Sequence, residues 1–250
     1  MKVYRCFYLL APIYLSLPSV HPAETHWSYR GNHGPTHWGE FGSNLCAEGT
    51  QQSPINVEMK QVRPLKGHDS DLKISYRVAP LDLVNNGHTI QANVMGGGTV
   101  SFKGNEYRLM QFHFHTPSEH QINHRSYPME MHWVNQDQEG HLLVLGVMLK
   151  EGEKNQALSQ FWRQLPVHQG TEIALDPAAA PDLGTLLPAA SHHLFYKGSL
   201  TTPPCTEDVQ WVLFEQPIEL SKAQIHKFRQ LFPENHRPPQ RVNEREVDED

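Results

Sequence analysis

Gln111-Phe112-His113-Phe114-His115 is the stretch on which the reading of this chain turns. In a strand, successive side chains point to opposite faces. Gln111, His113 and His115 therefore share one face, and Phe112 and Phe114 share the other. The preceding Tyr107-Arg108-Leu109-Met110 extends the same strand. A second segment, Glu130-Met131-His132-Trp133-Val134, places Glu130, His132 and Val134 together by the same period. Two histidines from one strand and one from its neighbour bring three imidazoles to a common point. Three neutral imidazoles with an open fourth position are the protein half of a catalytic zinc site. The chain holds 17 histidines, so a lone His-Phe-His pair also fits a solvated face. Gln111 and Glu130 weigh toward the metal. Each lies two residues before a ligand histidine, where it can accept the non-coordinating N–H and fix the tautomer. A buried glutamate without such a task is costly.

The 250 residues contain no linker, repeat or low-complexity tract, which points to one domain. A net charge of −6 argues against nucleic acid as a partner. The acidic stretch from Glu244 to Asp250 reads as a solvated tail. At the other end, Lys2 and Arg5 precede a mainly apolar run from Cys6 to Leu17 that is too short to span a bilayer. This is the pattern of a secretory signal, with cleavage between Ser19 and Ala23; an uncleaved anchor is the alternative. The expected division is a signal over 1–23 and a catalytic domain over 24–250, exported to the periplasm or secreted, with no membrane attachment after cleavage. Removing the signal leaves Cys46 and Cys205. An even pair in an exported protein suggests a disulfide, against two free buried thiols.

Residues 24–45, rich in Trp, His and Gly, show no period and read as an ordered coil anchored by its aromatics. Short alternating runs from Leu72 to Phe102 read as strands, with Asn85-Asn86-Gly87-His88 and Gly96-Gly97-Gly98 as turns or bulges. Strands follow at 106–115, 119–123, 129–135 and 142–149, the last continuously apolar and so buried on both faces. A helix is expected over 154–165, with Ala157, Leu158, Phe161, Trp162 and Leu165 on one stripe and Pro166 ending it. A second begins at a Ser221 cap, buries Ile225, Phe228, Leu231 and Phe232, and stops at Pro233. Gly198-Ser199-Leu200-Thr201-Thr202-Pro203-Pro204-Cys205 is a proline-stiffened loop. A strand from Asp208 to Phe214 follows, with Val209, Trp211 and Leu213 on one face. Many strands and two modest helices make a mainly β domain with peripheral helices.

Together these segments resemble the α-class carbonic anhydrases from about His26 to Val247. The resemblance rests on Gln111-Phe112-His113-Phe114-His115, Ser118-Glu119-His120, Glu130-Met131-His132, Asn86-Gly87-His88 and Gly198 to Pro204, all in family order. It implies a large, twisted, mostly antiparallel sheet of about ten strands and reversible hydration of carbon dioxide to bicarbonate. Carried over residue by residue, it implies Zn2+ on His113, His115 and His132. Gln111, Glu130 and the backbone carbonyl of Asn243 match the acceptors behind those ligands. Thr201 matches the threonine that accepts a hydrogen bond from zinc hydroxide, and Glu119 the carboxylate that takes the threonine's own proton. His88 matches the proton shuttle, with Tyr29, Asn86 and Gln91 around its water chain. Val134, Val144, Leu200, Val209 and Trp211 match the wall that holds carbon dioxide, with Thr201 and Thr202 beside it. Secreted members often bridge cysteines at the positions of Cys46 and Cys205.

Three departures stand out. Thr116-Pro117 follows the second ligand directly, a short connection that looks bacterial. Thr89, beside the shuttle, is bulkier than the alanine common in the fastest forms, and Lys197 has no counterpart reading. A non-catalytic binding module would lose zinc histidines, and zinc storage would need no Thr201–Glu119 relay. Esterase action on activated esters is expected as a side activity. Bacterial relatives include dimers, and nothing in the sequence argues for or against a homodimer.

Overall fold

The structure is a computed structural model that describes residues 27–65, 71–189 and 192–250. The expected signal over 1–23 lies outside the described residues. The strands in chain order are β1 Asn56–Val57, β2 Arg63–Pro64, β3 Lys73–Tyr76, β4 Leu81–Asn85, β5 Ile90–Val94, β6 Gly98–Phe102 and β7 Asn105–His115. There follow β8 Gln121–Ile122, β9 Met129–Gln136, β10 Leu142–Glu151, β11 Glu172–Ala174, β12 His193–Ser199, β13 Glu207–Leu220 and β14 Asp248–Glu249. Ten of them run side by side as β11-β4-β5-β7-β9-β10-β13-β12-β14-β2. The β3–β6 pair joins the same sheet, β6 lying against the first half of β7 while β5 takes the second half. β10–β13 and β14–β2 are parallel and the other pairs in this sheet antiparallel. The expected mainly β, single-domain fold on about ten mostly antiparallel strands is the one found.

Period-two alternation divides the apolar residues between the two faces. On one side Phe112, Phe114, Met131, Trp133, Leu143, Leu145 and Val147 join the main core, roofed by α2 Ser159–Arg163 and α3 Lys222–Leu231. On the other, Val144, Val209, Trp211 and Leu213 form a smaller cluster with Ile55, Leu194 and Tyr196. β10 is flanked on both edges and buried through Leu149, as its continuous apolar run predicts.

The helix after Ser221 forms as read. The Ser221 side chain accepts from the Gln224 N–H and the Gln224 side chain returns to the Ser221 N–H, a capping box. The helix expected over 154–165 shrinks to Ser159–Arg163. Its first turn is diverted because the Asn155 N–H donates to Gln224 Oε1 of α3 and the Asn155 side chain accepts from Leu158 N–H. The apolar stripe is still buried at Leu158, Phe161, Trp162 and Leu165. The strand expected over 119–123 is only Gln121–Ile122, paired with β1 in a separate two-stranded sheet. The N–H groups of Glu119 and His120 donate instead to the Glu130 carboxylate. The N-terminal coil contains 3-10 turns at Gly31–His33 and Pro35–Phe41 and one α-turn, α1 Leu45–Glu48. Its anchor is the fully buried Trp38, whose indole N–H donates to the carbonyls of Ser28 and His33.

Candidate metal centre and its cleft

β7 and β9 pair in a register that sets His113 directly opposite His132, with His115 two residues along on the same face. The three ring centroids lie 4.5–5.3 Å apart. One nitrogen of each ring is already committed. His113 Nδ1 donates to Gln111 Oε1 at 2.8 Å, His115 Nδ1 to the Asn235 carbonyl at 2.7 Å, and His132 Nε2 to Glu130 Oε1 at 2.8 Å. These acceptors put the proton on the outer nitrogen and leave Nε2 of His113, Nε2 of His115 and Nδ1 of His132 to face one another. One nitrogen from each of the three histidines fits within a 4.8 Å span.

His115 Nε2 is buried with no hydrogen-bond partner. An orphaned buried acceptor costs about 1–3 kcal/mol, and a cation shared with the nearby nitrogens of His113 and His132 would satisfy it. Burial also keeps the rings neutral, as ligands must be. Desolvation, aided by His132, lowers the His113 pKa to about 3. Desolvation and the neighbouring rings hold His115 well below its ordinary value, and desolvation lowers His132 as well. The donor set fits zinc.

Glu130 is completely buried. Burial alone would raise its pKa, but His120 and His132 outweigh it and hold the carboxylate well below the usual range. Its Oε1 accepts from His132 and from His120 Nδ1 at 2.7 Å, and its Oε2 from two backbone N–H groups at 2.8 Å each. His120 continues to Tyr196 Oη at 2.6 Å, and Tyr196 to Ser53 Oγ at 2.8 Å. His120, Glu130 and His132 also group as metal-ligating atoms. Both nitrogens of His120 and the Glu130 oxygens are already hydrogen-bonded, so this is a circuit that holds His132 in place.

Glu119 lies behind the triad with no exposure. The Arg237 backbone N–H donates to its Oε1 at 2.7 Å, its Oε2 is buried without a hydrogen-bond partner, and the nearby Thr201 side chain favours its ionised form. Burial raises its pKa well above the usual value, against the lowering effect of Thr201 and Arg237. A dication on the adjacent imidazoles favours the ionised form.

The triad opens into a cavity of ≈ 240 Å3 lined by both polar and apolar side chains. Tyr29, Asn86, His88 and Gln91 line it together with Val134, Val144, Leu200 and Trp211, and with Thr201 and Thr202. Val209 is not part of that surface; it is buried behind it, packed in the cluster with Val144 and Trp211. A larger depression of ≈ 490 Å3 around Arg108, Asp137 and His141 adjoins neither metal-ligating cluster found among the described residues.

One expected residue is elsewhere. The carbonyl behind His115 belongs to Asn235, not Asn243. Asn243 sits in a left-handed turn, φ 56°, and its side chain donates to the Thr50 carbonyl. Asn235 is also a hub: its side chain accepts from Thr116 N–H and donates to the carbonyls of His88 and Phe114. Nothing in Pro233-Glu234-Asn235-His236-Arg237-Pro238 has a period that would mark it. The sequence reading also missed Trp27, whose ring stacks on His88 with centroids 3.7 Å apart and planes 9° off parallel. Cys46 and Cys205 are bridged, with Cα atoms 5.1 Å apart.

A mostly antiparallel sheet presenting three imidazoles to a cavity lined by polar and apolar residues carries the donor set of a zinc metalloenzyme. Comparison with known proteins carries this to a family. The family model for eukaryotic-type carbonic anhydrase matches residues 33–250. A carbonic anhydrase of Nostoc sp. is 40% identical over 224 residues, 88% of this chain and 84% of that protein. A carbonic anhydrase of Neisseria gonorrhoeae is 40% identical over 233 residues, 92% and 90% of the two chains. The α-carbonic anhydrase of Thermovibrio ammonificans, solved in complex with the inhibitor sulfanilamide, superposes with a TM-score of 0.85 at 40% identity, covering 89% of this chain and 98% of its own. The chain belongs to the eukaryotic-type, or α-class, carbonic anhydrases, and is an enzyme with carbonic anhydrase activity.

Proposed function

We propose that the chain hydrates carbon dioxide reversibly at a zinc ion held by His113, His115 and His132. The observation that carries this reading is the set of three inward nitrogens, each with its opposite nitrogen tied to an acceptor. Zinc bound there supplies hydroxide at neutral pH by lowering the pKa of a water ligand to about 7, the established carbonic anhydrase case. The chain's own residues do the rest. Thr201 commits its hydroxyl proton to Glu119, so its oxygen is left only as an acceptor toward the reacting centre. That fixes which lone pair of the nucleophile faces the substrate, an orientation effect. Val134, Val144, Leu200 and Trp211 offer an uncharged substrate an apolar seat beside it. Val209 supports that wall from behind.

Each turnover also releases a proton. His88 lines the same cleft as Tyr29, Asn86 and Gln91. A histidine there can carry the proton outward near neutral pH. We assign activated esters as side substrates, and an exported, signal-cleaved form over 24–250. The disulfide supports an oxidising compartment, and no helix among the described residues is long and apolar enough to cross a membrane. Stopped-flow carbon dioxide hydration with zinc quantified in the same sample tests the reading. Fast hydration at about one zinc per chain is expected; full zinc occupancy without hydration overturns it.

A further inference from the structure

Arg237 is 1% exposed, and its guanidinium plays no part in the chemistry above. Its Nη1 donates to Gln52 Oε1 and to the Ser53 carbonyl, and its Nη2 to the Cys46 carbonyl, each at 2.8 Å. The Trp38 ring covers it at 5.6 Å. All three acceptors lie in residues 46–53, and that segment is fastened to the far side of the threonine loop. The Cys46–Cys205 bridge is one fastening, and Gln52 Nε2, which donates to the Cys205 carbonyl at 3.1 Å and to Glu207 Oε1 at 2.9 Å, is another.

The main chain is tied at Asn235 and again at Gln240, whose N–H donates to the Pro54 carbonyl, and Arg237 sits between these two ties. Residues 234–239 form no helix or strand, and Pro238 and Pro239 have no N–H to donate. Yet the Arg237 N–H donates to Glu119 Oε1 at 2.7 Å, while the other oxygen of that carboxylate is buried without a hydrogen-bond partner. The terminal torsion of a glutamate is soft, so the carboxylate points where its donors hold it. We infer that Arg237 is a positioning residue, its side chain clamped by the disulfide-anchored segment 46–53 so that its backbone N–H aims Glu119 at Thr201. This rests on the Thr201–Glu119 relay proposed above.

The test is a double-mutant cycle on kcat/KM for carbon dioxide per bound zinc, with amide exchange at residue 237 as a second readout. Thr201→Ala alone checks the relay; if it loses nothing, that reading fails rather than this one. Given a loss there, Arg237→Lys, which keeps the charge but cannot reach all three acceptors, is expected to lower kcat/KM roughly 10- to 100-fold, the scale of a remote misplacement of about 1 Å. Its exchange at residue 237 should quicken at least about tenfold, and it should add little on top of Thr201→Ala. The buffer dependence of kcat, which reports the shuttle, should stay as in the wild type. If Arg237→Lys does not fold, Gln52→Met removes one acceptor while keeping the volume, and is read in the same way. Unchanged kcat/KM per zinc, or a loss fully additive with Thr201→Ala, overturns the inference and leaves Arg237 a packing residue.

Discussion

Removing the Cys46–Cys205 bridge should cost this domain a large part of its stability. The bridge closes a sequence separation of 159 residues, which takes in every strand from β1 to β12 and all three imidazoles. In the loop-entropy model a closure of that length restrains the unfolded chain by about 5 kcal/mol at 25 °C. For a chain of this size each kcal/mol moves the melting temperature by about 2–4 °C, so a drop of roughly 10–20 °C is expected. The perturbation is Cys46→Ala with Cys205→Ala, which also removes two sulfurs from a buried cluster with Trp38. Melting the wild-type protein in reductant separates the terms, because it opens the bridge and keeps both sulfurs. Circular dichroism melts of the zinc-loaded proteins, with thiols titrated before and after, provide the assay. Agreement between the two losses assigns them to the cross-link. If both shifts stay below about 3 °C with the thiols demonstrably free, the entropic argument is wrong for this fold.

Other outcomes follow from the site. His132→Ala should abolish zinc binding and hydration together, measured by metal analysis and stopped-flow on one preparation; near wild-type hydration refutes the ligand assignment. His88→Ala should slow turnover at low buffer concentration and recover with added imidazole, and an unchanged rate at low buffer removes His88 as shuttle. Asn243→Ala should leave zinc affinity within about twofold of wild type, since Asn243 bonds Thr50 and not His115. The metal-free protein should lose stability as the pH falls below about 6.5. The folded pKa values of His113, His115 and His132 are lowered, so below that pH the unfolded chain binds protons that the native state does not, and stability rises with pH. The raised pKa of Glu119 acts with the opposite sign, but three imidazoles outweigh one carboxylate. Chelator-treated protein melted at pH 5 and pH 7 decides it: a higher melting temperature at pH 5 contradicts the argument.

Alternation is local, and the parts of this protein that depend on alternation were legible in its residues. The strand at 105–115 and the shared face of Gln111, His113 and His115 follow from a period of two, and the doubly buried run within 142–149 from an unbroken apolar stretch. The Ser221 cap follows from one side chain and the N–H three residues on. Even the acceptors behind His113 and His132 were readable, because each lies two residues away on the ligand's own strand. Tertiary structure decided what has no period. His115 takes its acceptor from the Asn235 carbonyl, 120 residues on in an irregular segment, and a main-chain oxygen leaves no trace in residue identity. The first turn of the expected helix at 154–165 gave way to bonds with Gln224 across the molecule. Trp27 on His88 and Arg237 beneath Glu119 are likewise contacts between distant, patternless stretches. The sequence by itself determined the long central strands around 106–115, 129–135 and 142–149 and which way their side chains face, since those depend on neighbours two to four residues away. Only the folded chain decided which main-chain groups meet the buried histidines and Glu119, because buried polar atoms take their partners wherever the packing brings one.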